Sequence, residues 1–273
     1  ETCAMRQIGA EYIRDVNPGE LVKLDDNGIK SLRFGEVPVG GYGQCVFEHI
    51  YFARPDSHVF GQSVYQVRSK IGTKLAKEYP VDADVVVPIP DSGVLAALGY
   101  SQASGIPFEM GFIRNHYIGR TFIMPTQRSR KSSVDLKLAV VPEVVSGKRV
   151  VLVDDSIIRG TTIQKRIDML RRAGAKEVHV RISCPPTRHP CFFGIDFPEP
   201  GELVATNRSV EQICKLCGAD SVGYLSIEGL RSVLNAPEHF CFGCFEGQYP
   251  CATEHVVCKH ALERNGPENL EDR

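Results

Sequence analysis

The residues of this sequence best suited to chemistry are two adjacent acids and the loop behind them, Asp154-Asp155-Ser156-Ile157-Ile158-Arg159-Gly160-Thr161-Thr162. Carboxylates can hold sugar hydroxyls and, directly or through water, a hard cation such as magnesium. A loop that opens a helix offers backbone N–H groups with no intrahelical partner, at the positive end of the helix dipole, and phosphate binds well there. An acid pair beside a phosphate cup suits a ligand that carries both hydroxyls and phosphate. Ribose phosphate is such a ligand.

The surrounding elements must bring these groups to one edge. Val150-Val151-Leu152-Val153 is an apolar run that reads as a buried strand ending on the acids. After the loop, Ile163, Ile167 and Leu170 recur at helical spacing, and Gly174 stands where a C-terminal cap is expected. Ser63 is an N-cap for a helix over 63–79 whose apolar stripe is Val64, Val67, Ile71 and Leu75, with Pro80 as its stop. Val85-Val86-Val87-Pro88-Ile89-Pro90 predicts a second buried strand, ending on Asp91-Ser92-Gly93 and followed by a helix of small residues over about 93–104. Val178–Ile182 predicts another strand, and Phe112-Ile113 opens onto a long polar stretch over 114–135. Strands alternating with helices predict a parallel α/β sheet, whose ligands bind beyond the carboxyl ends of the strands. Residues 8–22 read as two strands around Pro18-Gly19, and a second pair is expected around Asn27-Gly28. Residues 262–273 are polar and acidic and read as a disordered tail.

Composition narrows the function classes. Apolar residues make up 42% and charged residues 24% of 273 residues, ordinary for a globular protein. The net charge of −1 gives no footprint for nucleic acid, and no run approaches the roughly 18–20 apolar residues of a membrane span. No signal-peptide pattern is present, and the chain opens on Glu1-Thr2-Cys3 rather than Met, as expected of a fragment or processed product. Ten cysteines are many. In an intracellular nucleotide enzyme, metal or cluster ligation is the expected use.

The acid pair and loop resemble the binding motif for 5-phosphoribosyl pyrophosphate (PRPP) of type I phosphoribosyltransferases. The resemblance extends to the glutamine PRPP amidotransferase family through Cys45–Ser57, Pro88–Gly93, Tyr117–Pro125, Ser183–Pro186, Pro190–Asp196 and Tyr224–Leu230. These segments cover nearly the whole chain in order. The resemblance implies an α/β type I phosphoribosyltransferase fold, with a mainly parallel sheet flanked by helices, over 41–235. It implies a C-terminal β remnant of an N-terminal-nucleophile glutaminase domain over 1–40, and a Cys-containing segment over 236–273. Transfer of ammonia, drawn from glutamine in the full-length enzyme, to PRPP would form 5-phosphoribosylamine and pyrophosphate, the first committed step of purine synthesis.

The same resemblance implies roles for single residues. Asp154 and Asp155 would handle ribose and Mg2+, with Ser92 completing the metal site. Arg159, Gly160, Thr161 and Thr162 would hold the 5′-phosphate, Ser156 would join them in binding PRPP, and Asp91, Ser92 and Gly93 would approach the pyrophosphate, Gly93 allowing close backbone approach. Residues 114–135, basic at Arg114, Arg120, Arg128, Arg130 and Lys131, would form a lid with Tyr117 and Arg120 closing over PRPP. Cys45, Cys191, Cys241 and Cys244 match the ligands of a 4Fe-4S cluster in one branch of the family, with zinc as the rival. Cys214-Lys215-Leu216-Cys217 departs from that pattern and reads as buried cysteines on a packed helix; Cys251 and Cys258 are also extra. Feedback inhibition by purine nucleotides, a homodimer or homotetramer, and a cytoplasmic location follow from the family. Two other readings share the acid pair: a phosphoribosyltransferase that loads a base, and a PRPP-sensing regulator. Cys45–Ser57 and Tyr117–Pro125 argue against the first, and the absence of a basic module against the second.

Overall fold

The computed structural model describes residues 1–35, 42–115, 138–197 and 200–251. Tyr117, Arg120, the rest of the proposed lid from residue 116 to 135, Cys258 and the C-terminal tail lie outside the described residues.

Four apolar runs form the central sheet. They are β4 (Val85–Pro88), β7 (Arg149–Asp154), β8 (Glu177–Ile182) and β9 (Ser221–Tyr224), in the order β9-β8-β7-β4 and parallel throughout. Val150 through Val153 have no appreciable exposure, as a strand covered on both faces requires. Burying each such side chain contributes roughly 1.5–3 kcal/mol. The register places Asp154 beside Ile182 and Val153 beside Pro88, so the carboxyl ends of β4, β7 and β8 finish level.

Helix α2 (Val64–Glu78) starts where Ser63 accepts a hydrogen bond from the amide of Gln66 at 3.4 Å. It buries Val64, Val67, Ile71 and Leu75. It packs closely on α3 (Val94–Ser104), the small-residue helix. A methyl on Gly72 would sit 1.9 Å from the Ala96 carbonyl oxygen, and one on Gly99 would sit 2.0 Å from that of Ser69. The two glycines therefore set the helix separation. Helix α4 (Thr161–Arg172) buries Ile163, Ile167 and Leu170, and Gly174 follows it at φ 96°.

The amino-terminal expectation needs a correction. Asn27-Gly28 does close a hairpin, between β1 (Glu20–Asp25) and β2 (Gly28–Arg33). Residues 8–16, however, form no strand, and Thr2–Gln7 is a short helix, α1. Pro18-Gly19 turns the chain as read, but Ile8, Ile13 and Val16 are mostly exposed. Alternating apolar residues make a strand only where a face exists to bury them, and the described residues offer none there. No described helix is long and apolar enough to cross a membrane.

Candidate active site

Three loops leave the level carboxyl ends of β4, β7 and β8. The middle one carries Asp154 and Asp155. Asp154 Oδ1 accepts a hydrogen bond from the amide of Asp155 at 2.9 Å and one from the Ser92 hydroxyl at 3.4 Å. Ser183, on the third loop, donates its amide to the Asp154 carbonyl at 3.0 Å. Asp155 is buried and accepts a hydrogen bond from the Ser156 hydroxyl. Burial pushes the Asp154 carboxyl well above the usual carboxylate range, and the charge of Asp155 pushes it further. Two hard carboxylates and a hydroxyl converge on a spot where charge is disfavoured, a donor set that fits a divalent cation.

The next residues build the cup. Gly160 takes φ 82°, a left-handed conformation that suits glycine, and so turns the chain into α4. No side chain caps α4, and its first turn faces a cavity of about 650 Å3. Asp154 through Ile163 line that cavity, so the acid pair and the helix amides share one opening. The Arg159 guanidinium reaches Glu202 at 2.7 Å.

The first loop fits less closely with expectation. Ser92 donates to Asp154, but neither it nor Asp91 nor Gly93 lines the cavity. Asp91 pairs with Arg114 at 2.6 Å, at the foot of the segment expected to form a lid. A methyl on Gly93 would lie 2.3 Å from the Val153 carbonyl oxygen. The glycine lets the loop pack on the end of β7.

The sequence reading missed the opposite wall. Phe47, Tyr51 and Phe52 face the cup, together with Gly194 through Phe197. Tyr51 and Phe52 lie on the wide helical turn Glu48–Phe52, with Phe47 just before it, and a buried arginine of α2 holds that turn in place. Arg68 donates to the carbonyls of His49 and Ala53, both at 2.8 Å. Tyr51 and Phe52 are half exposed, which the sequence does not show.

The four matched cysteines gather on the far side of this wall. Cys45 on β3 (Gln44–Cys45) pairs in register with Cys241 on β10 (Phe240–Cys241). Cys244 lies on the short helix α6 (Gly243–Glu246). Burial raises the Cys45 thiol to about 11 and pushes Cys244 higher still. Cys45, Cys241 and Cys191 each add to the rise at Cys244, so all four lie within electrostatic reach. Cys191 accepts a hydrogen bond from the Phe193 amide at 3.4 Å, and Cys241 one from the Gly243 amide at 3.5 Å. Such N–H groups stabilise thiolate sulfur. No three His, Cys, Asp or Glu side chains among the described residues converge on a single ion. Four thiolates are soft donors, which suit iron–sulfur clusters and zinc alike. No disulfide forms among the described cysteines.

The extra pair lies elsewhere. Cys214 and Cys217 sit on α5 (Val210–Cys217), with Cys217 buried beneath the cup as expected. Leu216, read as a mark of a packed element, is half exposed, because its side of the short helix faces outward.

Comparison with known proteins agrees with this geometry. Residues 62–190 match the phosphoribosyl transferase domain family. An amidophosphoribosyltransferase of Methanocaldococcus jannaschii is 51% identical over 263 residues, covering 92% of this chain and 56% of that protein. A chloroplastic amidophosphoribosyltransferase of Glycine max is 50% identical, covering 95% of this chain and 45% of that protein. The solved structure of the allosteric regulatory enzyme of purine biosynthesis superposes with a TM-score of 0.86 at 47% identity, covering 94% of this chain and 56% of that one. Glutamine PRPP amidotransferase from B. subtilis, complexed with ADP and GMP, superposes with a TM-score of 0.83 at 49% identity, covering 92% and 56%. The chain thus spans about half the length of the curated relatives it matches. The chain thus resembles amidophosphoribosyltransferases over nearly all its length, with the match to the phosphoribosyl transferase domain family inside that span.

Proposed function

We propose that this chain is the phosphoribosyl-transferring part of an amidophosphoribosyltransferase, which joins ammonia to PRPP and releases pyrophosphate. The single observation behind this reading is the acid pair sharing one opening with the uncapped start of α4. The cup residues Ser156–Thr162 bind the 5′-phosphate. Asp154 and Asp155 hold the ribose hydroxyls, and with Ser92 they hold Mg2+. The metal ion supplies positive charge that eases departure of pyrophosphate. Ammonia forms the new C1–N bond as the C1–O bond to pyrophosphate breaks, and a proton is lost from nitrogen. The transition state resembles an oxocarbenium ion, which the two carboxylates favour by their negative charge. Tyr117 and Arg120 complete the closed site over PRPP.

In the whole protein, ammonia comes from glutamine at a separate domain, and residues 1–40 are the end of that domain. The exposed Ile8, Ile13, Leu24, Ile29, Leu32 and Phe34 favour this, since such a patch suits a partner surface. Cys45, Cys191, Cys241 and Cys244 hold a structural 4Fe-4S cluster, and the unpaired cysteines among the described residues suit the reducing cytoplasm. Purine nucleotides inhibit by placing a 5′-phosphate in the same cup, and the protein works as a homodimer or homotetramer.

The test is pyrophosphate release from PRPP and Mg2+, with ammonia or glutamine as donor, on the chain and on Asp154→Asn. Release with ammonia, none with glutamine, and loss in the variant is the expected result. Glutamine-driven release, or full activity in Asp154→Asn, overturns the reading.

A further inference from the structure

We propose that Arg188 is a positioning residue for the phosphate cup, acting through the segment 204–206. The inference rests on the reading of residues 154–162 as a phosphoribosyl site. The outer side of the cup leans on a stretch with no helix or strand of its own. Val204 donates its amide to the Ile158 carbonyl at 2.8 Å, and its side chain packs against Gly160. Residues 203–209 form turns and irregular chain, so bonds to other segments must hold them. Arg188 provides these bonds. Its guanidinium Nη1 donates to the buried Ala205 carbonyl at 2.8 Å, and its own carbonyl accepts from the Thr206 hydroxyl at 2.8 Å.

The same residue is anchored on its other side. The amides of Arg188 and His189 both donate to the Cys244 carbonyl, at 2.9 and 3.0 Å. Arg188 therefore stands between the cysteine lobe and the segment that braces the cup, bonded to each. The nearer support to the cup's inner side is weak by comparison: the Cys217 thiol lies 3.9 Å from the Gly160 carbonyl. Without the guanidinium, a buried carbonyl loses its donor and the 204–206 turn keeps only the Thr206 bond to the Arg188 backbone. The turn then drifts, and the amides of the cup lose the spacing that phosphate requires.

The experiment compares the chain with Arg188→Ala, Arg188→Lys and Thr206→Val. It measures PRPP binding with Mg2+ by calorimetry and amide hydrogen exchange without ligand. Arg188→Ala should weaken PRPP binding about tenfold, the usual scale for a residue that acts through others. Thr206→Val should weaken it less, and Arg188→Lys, which keeps a charged donor, should recover most of the loss. Exchange should quicken at residues 157–160 while Val150–Val153 stay protected. Binding by Arg188→Ala within about twofold of the parent chain overturns the proposal. So does exchange that quickens equally in β7, which reports general unfolding. If the parent chain binds no PRPP, the site reading falls and takes the proposal with it; loss confined to Arg188→Lys and Arg188→Ala alike, with slow exchange at 157–160, overturns the proposal alone.

Discussion

Asp154 carries a charge that its surroundings oppose, with burial the larger influence and Asp155 the second. A raised carboxyl takes up its proton at a higher pH than a free one, so the folded, ligand-free chain gains stability as pH falls through that range. A bound cation needs the ionised form, so Mg2+-dependent binding of PRPP should weaken over the same fall. Asp154→Asn removes the opposed charge. It should raise the unfolding free energy of the ligand-free chain by about 1 kcal/mol while abolishing the Mg2+ dependence of binding. A denaturant titration without Mg2+ checks the first half, and an unchanged or lower midpoint counts against it. His49 shows the reverse case. It is buried with no hydrogen-bond partner on either ring nitrogen, and burial lowers it to about 4. Its unfolded value is about 6.5, so its neutral form supports folding above that pH, and up to about 3 kcal/mol is lost as pH falls from there toward 4. His49→Leu should flatten the stability profile between these limits, read as the denaturant midpoint against pH. At this scale Asp154 to Thr162 was legible because acids, glycine and threonines act where they stand in the chain. His49 was not, because nothing in Phe47-Glu48-His49 tells that Phe60 and Phe240 will enclose the ring.

Helices α2 and α3 show what an element can hide. The apolar stripe of α2 and its Ser63 cap were readable from periodicity and from one residue type. The small residues of α3 marked a close approach without naming what approaches. That partner, α2, lies across β4 in sequence, and only the fold brings Gly99 against Ser69 and Gly72 against Ala96. Overpacking there should be costly. Gly99→Ala is expected to destabilise by about 1–3 kcal/mol, since a backbone carbonyl must move to admit the methyl. Gly201→Ala, with nothing within 4 Å of the added carbon, serves as the comparison. Equal denaturation midpoints for the two variants contradict this account of the helix pair. The same distinction explains why the strand expected over residues 8–16 does not form. Its pattern was sound, but a strand is a property of two faces, and the sequence shows only one of them.

Over the whole molecule the cysteine lobe is joined to the sheet domain by little ordinary structure. The β3–β10 ladder is two residues long, and α6 has a single turn. The aromatic contacts between Phe47 and Phe245, 5.7 Å apart, and between Phe47 and Phe197, 5.0 Å apart, place the back of the cavity wall against that lobe. A group held by Cys45, Cys191, Cys241 and Cys244 would tie three distant stretches of chain, and a cross-link that closes long loops stabilises most by restricting the unfolded chain. Chain purified without oxygen should therefore contain about four irons and four sulfides and little zinc. Cys244→Ser should lose this iron. It should also quicken hydrogen exchange over residues 240–247 and around Phe47, while β7 and β8 keep their protection, because the sheet core draws its stability from its own buried valines and leucines. One zinc per chain in place of iron would reassign the ligands, and unchanged exchange in Cys244→Ser would show that the lobe is held by its packing alone.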